Sequence, residues 1–207
     1  MMSNDEYLLD TLRIRQFISL VRAKLASAPP AAALEALRPA FADLLADQEW
    51  LPDDYQQPSV TGGMGSGIAT WLIYRAAEGD LSLFSLVVPP GASTPIHDHL
   101  AWGLVGLYAG EQDEIVYQQQ AGEQADQSDA RLDAVEHNHL HPGDFYVLTP
   151  PMGDIHSVTT TSPVASVSIH LLGNDTGCVW RHTYDLADGA RHPFRSGWSN
   201  VPCRKET

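Results

Sequence analysis

The hydrophobic pattern of the chain changes once, near residue 55. Before that point apolar residues recur at the spacing of one helix face. They are Ile14, Phe17, Ile18, Val21 and Leu25. A second segment, over residues 31–50, is rich in strong helix formers, and Pro39 within it predicts a kink or a break. We therefore expect two or more helices, which form a cap over a sheet or a subunit contact.

From about residue 66 the pattern is that of β-strands, because short β-branched and apolar runs alternate with turn signals. The runs are IATWLIYRA, LSLFSLVV, GLVGLYAG, EQDEIVYQQQ, DFYVLTP, SVTTT, VASVSIHLL and CVWRHTYDL. Segment 121–130 is polar and lacks periodicity, which predicts an exposed loop. The connections are too short for crossover helices, so the strands should be antiparallel. We predict an all-β fold, an antiparallel sandwich or barrel at 56–207 with a helical cap at 1–55, forming one compact unit.

The charge balance excludes several classes of partner. The chain has 207 residues with 26 acidic and 12 basic side chains, which gives a formal net charge of −14. Nucleic acid and anionic membrane surfaces attract clustered Lys and Arg, so neither is expected as a partner. The acidic N-terminal segment lacks the pattern of a secretory signal, and no apolar run is long enough to span a membrane. We expect a cytoplasmic protein with Cys178 and Cys203 as reduced thiols; a bridge between them is the alternative.

Three histidines carry the candidate chemistry. His97 and His99 lie two positions apart in PPGASTPIHDHL, and residues i and i+2 of a strand share a face. Both imidazoles can then reach one metal ion, with His156 of PPMGDIHSV as a third donor. Imidazole suits Fe, Cu, Ni and Zn alike, so the spacing does not select the metal. The alternative is a set of core histidines with satisfied hydrogen bonds, but the flanking glycines and prolines favour metal binding.

These motifs resemble those of the cupin superfamily. The matching residues are Gly91, His97, His99 and Gly106 in the first motif and Gly143, Pro151, Gly153 and His156 in the second. The stretches PIHDH, WGLVG, GDIHSV, SVSIH and PFRSGWSN further resemble the bacterial thiol dioxygenases, namely cysteine dioxygenase type I and the 3-mercaptopropionate dioxygenases. The resemblance covers residues 66–200 and implies a double-stranded β-helix barrel.

The resemblance also implies an Fe(II) site. Many cupins add a glutamate ligand shortly after the histidine pair, where this chain has Trp102 and Gly103. Three neutral histidines remain, similar to the set that holds ferrous iron in thiol dioxygenases. Without a carboxylate ligand the site should keep the full charge of a divalent ion and favour a thiolate. The implied function is oxidation of a small thiol, a mercapto-carboxylic acid or cysteine, to its sulfinic acid with O2.

Two positions near the barrel core resemble a hydrogen-bonded relay of that family. Ser168 and His170 alternate on one strand face, and the resemblance implies that they orient water or substrate. The family continues the relay with a tyrosine, where this chain has Leu172, which can neither donate nor accept a hydrogen bond. Tyr108 or Tyr146 could supply a hydroxyl from another strand.

A thiol acid also needs a positive partner, and arginine suits a carboxylate because its planar fork makes two parallel hydrogen bonds. Arg181 resembles the carboxylate-binding arginine of the 3-mercaptopropionate dioxygenases. The corresponding position of the eukaryotic-type cysteine dioxygenases matches Trp71, and Arg75 is expected to face solvent. Gly103 and Leu172 stand where those enzymes have their Cys–Tyr crosslink, so no crosslink is expected. We therefore expect a mercapto-acid other than cysteine.

Other interpretations stay open. His137, His139 and His141 alternate in HNHLH and could bind metal, although an exposed edge with adventitious affinity is favoured. His182 and His192 show no usable arrangement. A metal cupin that oxygenates a carbon substrate and a non-catalytic binding protein are the alternatives to a thiol dioxygenase. A homo-oligomer is compatible with the helical segment.

Overall fold

The computed structural model describes residues 4–59, 64–120, 131–187 and 189–204. Helix α1 spans Leu12–Ser27 and helix α2 spans Pro30–Ala46, followed by a short 3-10 helix at Asp53–Gln56. Contrary to the predicted break, α2 continues through Pro39, which lies on its exposed face. The carbonyl that loses its N–H partner there can bond to water instead. No helix in the described ranges is long and apolar enough to cross a membrane.

The described residues form two six-stranded sheets. Their strands are β1 (Glu6–Tyr7), β2 (Ala69–Arg75), β3 (Ser82–Val88), β4 (Ile96–His97), β5 (Gly103–Ala109), β6 (Gln112–Gln119), β7 (Leu132–Leu140), β8 (Phe145–Leu148), β9 (Ile155–Thr160), β10 (Ser166–Leu172), β11 (Arg181–Tyr184) and β12 (Arg191–Phe194). The cap sheet has the order β1-β2-β3-β10-β5-β8, and the histidine sheet has the order β12-β11-β4-β9-β6-β7. All of these strand pairs are antiparallel.

Both faces of the cap sheet are apolar. On its outer face, Leu104 and Ile169 belong to the core that includes Phe41 of α2, so the helices cover this side. On its inner face, Phe84 and Leu172 belong to the core of the barrel. Burial on both faces explains why β3 and β10 are apolar or small at nearly every position.

The strand order is that of a double-stranded β-helix of the cupin type. Strands distant in sequence are neighbours within each sheet, as β3 is of β10 and β4 is of β9. The predicted all-β fold with preceding helices is confirmed. The predicted loop at 121–130 lies outside the described residues, and the division of the chain near residue 55 stays a prediction.

The expectation of two reduced cysteines is wrong, because Cys178 and Cys203 form a disulfide. The C-terminal segment runs back along β2, where the side chain of Asn200 bonds to the backbone N–H and carbonyl of Leu72. This docking brings the two cysteine Cα atoms to 5.5 Å, within the range that a disulfide spans.

Candidate metal centre

Three histidine rings meet inside the barrel where β4 pairs with β9. His97 lies directly opposite His156 in the antiparallel register, and His99 follows two positions later. One ligand atom from each ring lies within 4.8 Å of the others, and each residue is at most 2% exposed. The structure brings together the three side chains that the sequence selected. Within the described ranges, no other three metal-ligating residues meet that distance.

Two of these rings are held through their Nδ1 atoms. His97 Nδ1 lies 2.9 Å from the carbonyl oxygen of Pro95, and His156 Nδ1 lies 2.7 Å from Glu114 Oε1. Because both partners are acceptors, each Nδ1 carries a proton, and Nε2 is the ring nitrogen left to face a metal ion. His97 and His156 can therefore each offer Nε2 to a metal ion.

The third ring is held by the turn that follows β4. Asp154 accepts hydrogen bonds from the backbone N–H groups of His99 and Leu100, both at 3.0 Å. Leu100 has a φ of +54°, which a leucine rarely adopts, so these bonds support a strained turn. His99 Nδ1 lies 3.4 Å from Asp154 Oδ1 but has no hydrogen-bond partner.

Burial keeps the imidazoles of His97 and His99 neutral. It lowers the pKa of His97 well below its usual value and the pKa of His99 to about 4, and the charge of Arg181 adds to both effects. Neutral imidazole is the form that binds a metal ion. Three imidazole donors fit a divalent ion such as Fe(II), Cu(II), Ni(II) or Zn(II).

Sequence analysis missed Glu114, which lies on the inner face of β6. Its carboxylate is 1% exposed and contacts His156, Tyr146 and Asn138. Burial alone would raise the pKa of Glu114, but hydrogen bonds from these three side chains hold it below its usual value. Strand alternation could have found it, because Glu114 and Val116 share the inward face while Ile115 points outward.

These carboxylates change the expected electrostatics of the centre. Glu114 and Asp154 are both buried, and each lies against a histidine of the cluster. A divalent ion held by the histidines would therefore meet two nearby negative charges. The expectation that the site keeps its full positive charge needs this correction.

Asp98 also has a structural role that the sequence did not reveal. Its Oδ2 accepts a hydrogen bond from Tyr184 and lies 2.8 Å from His182 Nδ1, while its Oδ1 accepts one from His182 N. Asp98 thereby ties the histidine pair to β11. This contact also explains His182, for which the sequence indicated no role.

Ser168 and His170 share the inner face of β10, as their alternation predicts. Ser168 Oγ lies 2.9 Å from His170 Nε2, and the His170 ring lies 6.1 Å from the His99 ring. His170 Nδ1 is buried without a hydrogen-bond partner. A cavity of about 10 Å³, enough for roughly one water molecule, is lined by both residues and by His156.

Leu172 closes this row of inward residues. It is fully buried and is the cross-strand partner of Gly103. A Cβ atom on Gly103 would lie 2.2 Å from the carbonyl oxygen of Leu171 and 2.4 Å from Leu172 Cδ2. The strands therefore pack too closely here for a cysteine at position 103.

Of the two tyrosines considered as substitutes, only Tyr146 lies at the centre. Its hydroxyl is 3.3 Å from His156 Nδ1 and also bonds to Glu114. Tyr108 points to the opposite face of the cap sheet, where its ring packs against Trp50.

Arg181 lies on the inner face of the histidine sheet, two residues before the cross-strand partner of His97. It is 3% exposed, and it donates to the carbonyl of Asp98 at 2.7 Å and to Ser196 Oγ at 3.2 Å. Its Nε is buried without a partner, and no carboxylate of the described residues forms an ion pair with it. Burial lowers the pKa of Arg181 to about 10, so it stays charged at neutral pH.

The expectation that Arg75 faces solvent is wrong. Arg75 is 3% exposed and binds Glu6 at 2.8 Å, with Asp175 at 3.7 Å. The short strand β1 places Glu6 opposite Arg75, which covers and neutralises the guanidinium. Trp71 lies on the outer face of the same strand and packs against the core between the cap sheet and the helices. Arg181 is therefore the better candidate for an anionic ligand.

The HNHLH histidines lie apart from this centre. His137 and His139 are on the outer face of β7 and His141 follows its end, with side chains 48–66% exposed.

No known family model matches the chain. Among solved structures it is similar to Peruvianin-I, a cysteine peptidase from Thevetia peruviana latex, at 21% identity and a TM-score of 0.42, covering 63% of this chain and 74% of that one. It is similar to an uncharacterised double-stranded β-helix protein of Klebsiella pneumoniae at 18% identity and a TM-score of 0.40, covering 60% and 89%. It is also similar to an oxalate oxidase at 16% identity and a TM-score of 0.42, covering 63% of this chain and 61% of that one. Similarities this distant do not support a function, and the fold assignment rests on the strand order of the chain itself.

Proposed function

We propose that the buried histidine cluster binds Fe(II) and that the protein oxidises a small thiol acid to its sulfinic acid. The observation that carries the proposal is a set of three buried histidines beside a buried Arg181 without an ion-pair partner in the described residues. A thiol acid offers one group to each, since the thiolate suits the metal and the carboxylate suits the guanidinium. When bound, Fe(II) would supply redox chemistry and open coordination positions for thiolate and O2.

The atoms and electrons of this reaction balance without a further reactant. The overall change is RSH + O2 → RSO2H, in which both oxygen atoms end on sulfur. Sulfur gives up the four electrons that O2 accepts, so no external reductant or organic cofactor is required. This agrees with a sequence that shows no nucleotide-binding fingerprint.

Arg181 is well arranged to hold the carboxylate. Its contacts with Asp98 and Ser196 fix the guanidinium, which also lies 4.6 Å from the centroid of the Phe194 ring. A desolvated, preoriented fork loses little entropy when it binds an anion. Its charge would also offset the carboxylates of Asp98 and Asp154.

Ser168, His170 and Tyr146 are the groups that would orient water or substrate. His170 is neutral, because burial lowers its pKa well below the usual value. With Nε2 engaged by Ser168, its buried Nδ1 has no partner among the described residues and can bond to a molecule in the barrel. Tyr146 lines the same small cavity.

We infer that substrate approaches between β7 and β8, the two free edges on one side of the barrel. A cleft of about 550 Å³ lies there and reaches Glu114 and Tyr146, both of which contact His156. The histidines themselves are nearly sealed from solvent, so Glu114 and Tyr146 are the side chains that would have to move for a ligand to enter from this cleft.

Anaerobic loading with Fe(II), followed by O2 uptake against a panel of small thiols, tests the proposal. We expect uptake with a mercapto-carboxylic acid, 3-mercaptopropionate being the first to try, with one sulfinate formed per O2. Alanine at His97, His99 or His156 should remove the iron. Uptake without sulfinate would favour a carbon oxygenase, and no uptake with any thiol in iron-loaded protein would favour a binding role.

Arg181→Ala tests the carboxylate partner separately. A hydrogen bond to a charged group contributes about 1.5–3 kcal/mol, so KM for the acid should rise roughly ten- to a hundredfold with a smaller change in kcat. The same variant should leave KM for a thiol without a carboxylate unchanged. Arg13→Ala, at an exposed ion pair with Asp47, is the matched control. Equal kinetics in the two variants would place the carboxylate elsewhere.

A further inference from the structure

A second group of metal-binding side chains lies on the outer face of the histidine sheet. In the β6–β7 register His139 is the direct partner of Asp113, and His141 lies beside Glu111 where the two strands end. Two imidazoles thus face two carboxylates across neighbouring strands. We call His139, His141, Asp113 and Glu111 the outer cluster.

Each imidazole of the outer cluster already lies near one carboxylate, whereas no three of its ligand atoms are as close together as those of the inner histidines. His139 Nδ1 lies 2.6 Å from Asp113 Oδ1, and His141 Nδ1 lies 3.7 Å from Glu111 Oε1. The centroids of the His139 and His141 rings are 4.8 Å apart, as are those of His97 and His156 in the barrel.

Exposure allows the outer cluster to close around an ion. The four side chains are 38–58% exposed, so their terminal torsions can turn without disturbing the core. Two nitrogen and two oxygen donors suit the tetrahedral shell of Zn²⁺, and late first-row ions bind such donors most tightly. His137, whose Nε2 is 3.8 Å from Asp113 Oδ2, flanks the site on the same face.

We propose that the outer cluster is a second divalent-metal site, which takes Zn²⁺ or a similar late first-row ion from solvent. It is independent of the proposed dioxygenase function. Glu114 and His156 project to the inner face of the sheet, whereas the outer cluster projects away from it. The two sites therefore share no ligand, and each can be removed without touching the other.

Calorimetric titration of the metal-free full-length chain with Zn²⁺ tests this site. The parent protein is compared with the double variant His139→Ala/His141→Ala, with far-UV circular dichroism as a check of folding. We expect the double variant to bind one Zn²⁺ fewer per chain. His192→Ala, an exposed histidine on β12, is the matched control and should bind as the parent does.

A milder variant separates ligand loss from a general change of surface charge. Asp113→Asn keeps the shape of the side chain and should weaken the outer site by roughly 10- to 100-fold. A double variant that binds as many Zn²⁺ ions as tightly as the parent would overturn the proposal, and so would an equal loss in His192→Ala. The test compares the number of Zn²⁺ ions bound by the parent and by each variant. Its outcome therefore does not depend on whether the inner histidines bind iron.

Discussion

Glu114→Gln probes how the inner centre holds its metal. The substitution preserves the shape of the side chain but removes the charge that lies 2.7 Å from His156 Nδ1, in a position 1% exposed. A buried hydrogen bond to a charged group contributes about 1.5–3 kcal/mol. Carboxylates that orient a ligating histidine typically change metal affinity by about 10- to 100-fold. The two ranges agree, since that factor corresponds to roughly 1.4–2.7 kcal/mol.

Competition between the protein and a chelator of known affinity measures this effect directly. We expect the Kd for Fe(II) to rise about 10- to 100-fold in Glu114→Gln, while the Kd of the outer cluster stays as in the parent. Glu136→Gln is the matched control, because Glu136 is exposed on the adjacent strand. Co(II) absorption should also change in Glu114→Gln alone, since the orientation of His156 changes.

The reasoning would be refuted by equal Fe(II) affinity in the two glutamine variants. Urea unfolding of the metal-free proteins shows separately whether a variant has lost its fold. A variant that unfolds like the parent yet binds iron more weakly locates the effect at His156.

Three further predictions concern stability, measured by urea unfolding. Leu172→Tyr should lower the free energy of unfolding by about 1–3 kcal/mol, because it overpacks a fully buried position; an unchanged midpoint would contradict this. Cys203→Ser opens a loop of 25 residues and should cost about 3 kcal/mol, a loss that reduction of the parent should reproduce. Burial alone would raise the pKa of Asp5, but hydrogen bonds from Ala77 N and Tyr74 OH hold it below its usual value. Its stabilisation is therefore present above about pH 4 and lost as the pH falls through the folded-state pKa, so Asp5→Asn should flatten that acid limb.

Local patterns were sufficient for the all-β class and for the pairing of His97 with His99, whereas His156 was chosen through the motif resemblance. The apolar runs around Leu72, Phe84 and Ile169 are short, β-rich and separated by turn signals, which is a property of neighbouring residues. The His97–His99 spacing likewise needs only the two-residue period of a strand. Both predictions depend on contacts within a few positions of the chain, where sequence and geometry are tightly linked.

The partners of those residues depend on pairings between distant segments. Glu114 reaches His156 because β6 pairs with β9, and Asp98 reaches His182 because β4 pairs with β11. Neither register follows from periodicity. The same holds for Arg75, which is buried because β1 places Glu6 beside it from 69 positions away.

The charge state of the centre is likewise a tertiary property. Sequence motifs alone predict three neutral histidines, one arginine and a divalent ion that keeps its full charge. Folding adds Glu114 and Asp154 to the same volume and leaves Arg181 without an ion-pair partner among the described residues. Electrostatic energies depend on distance and burial, which a linear chain does not specify until its strands have paired.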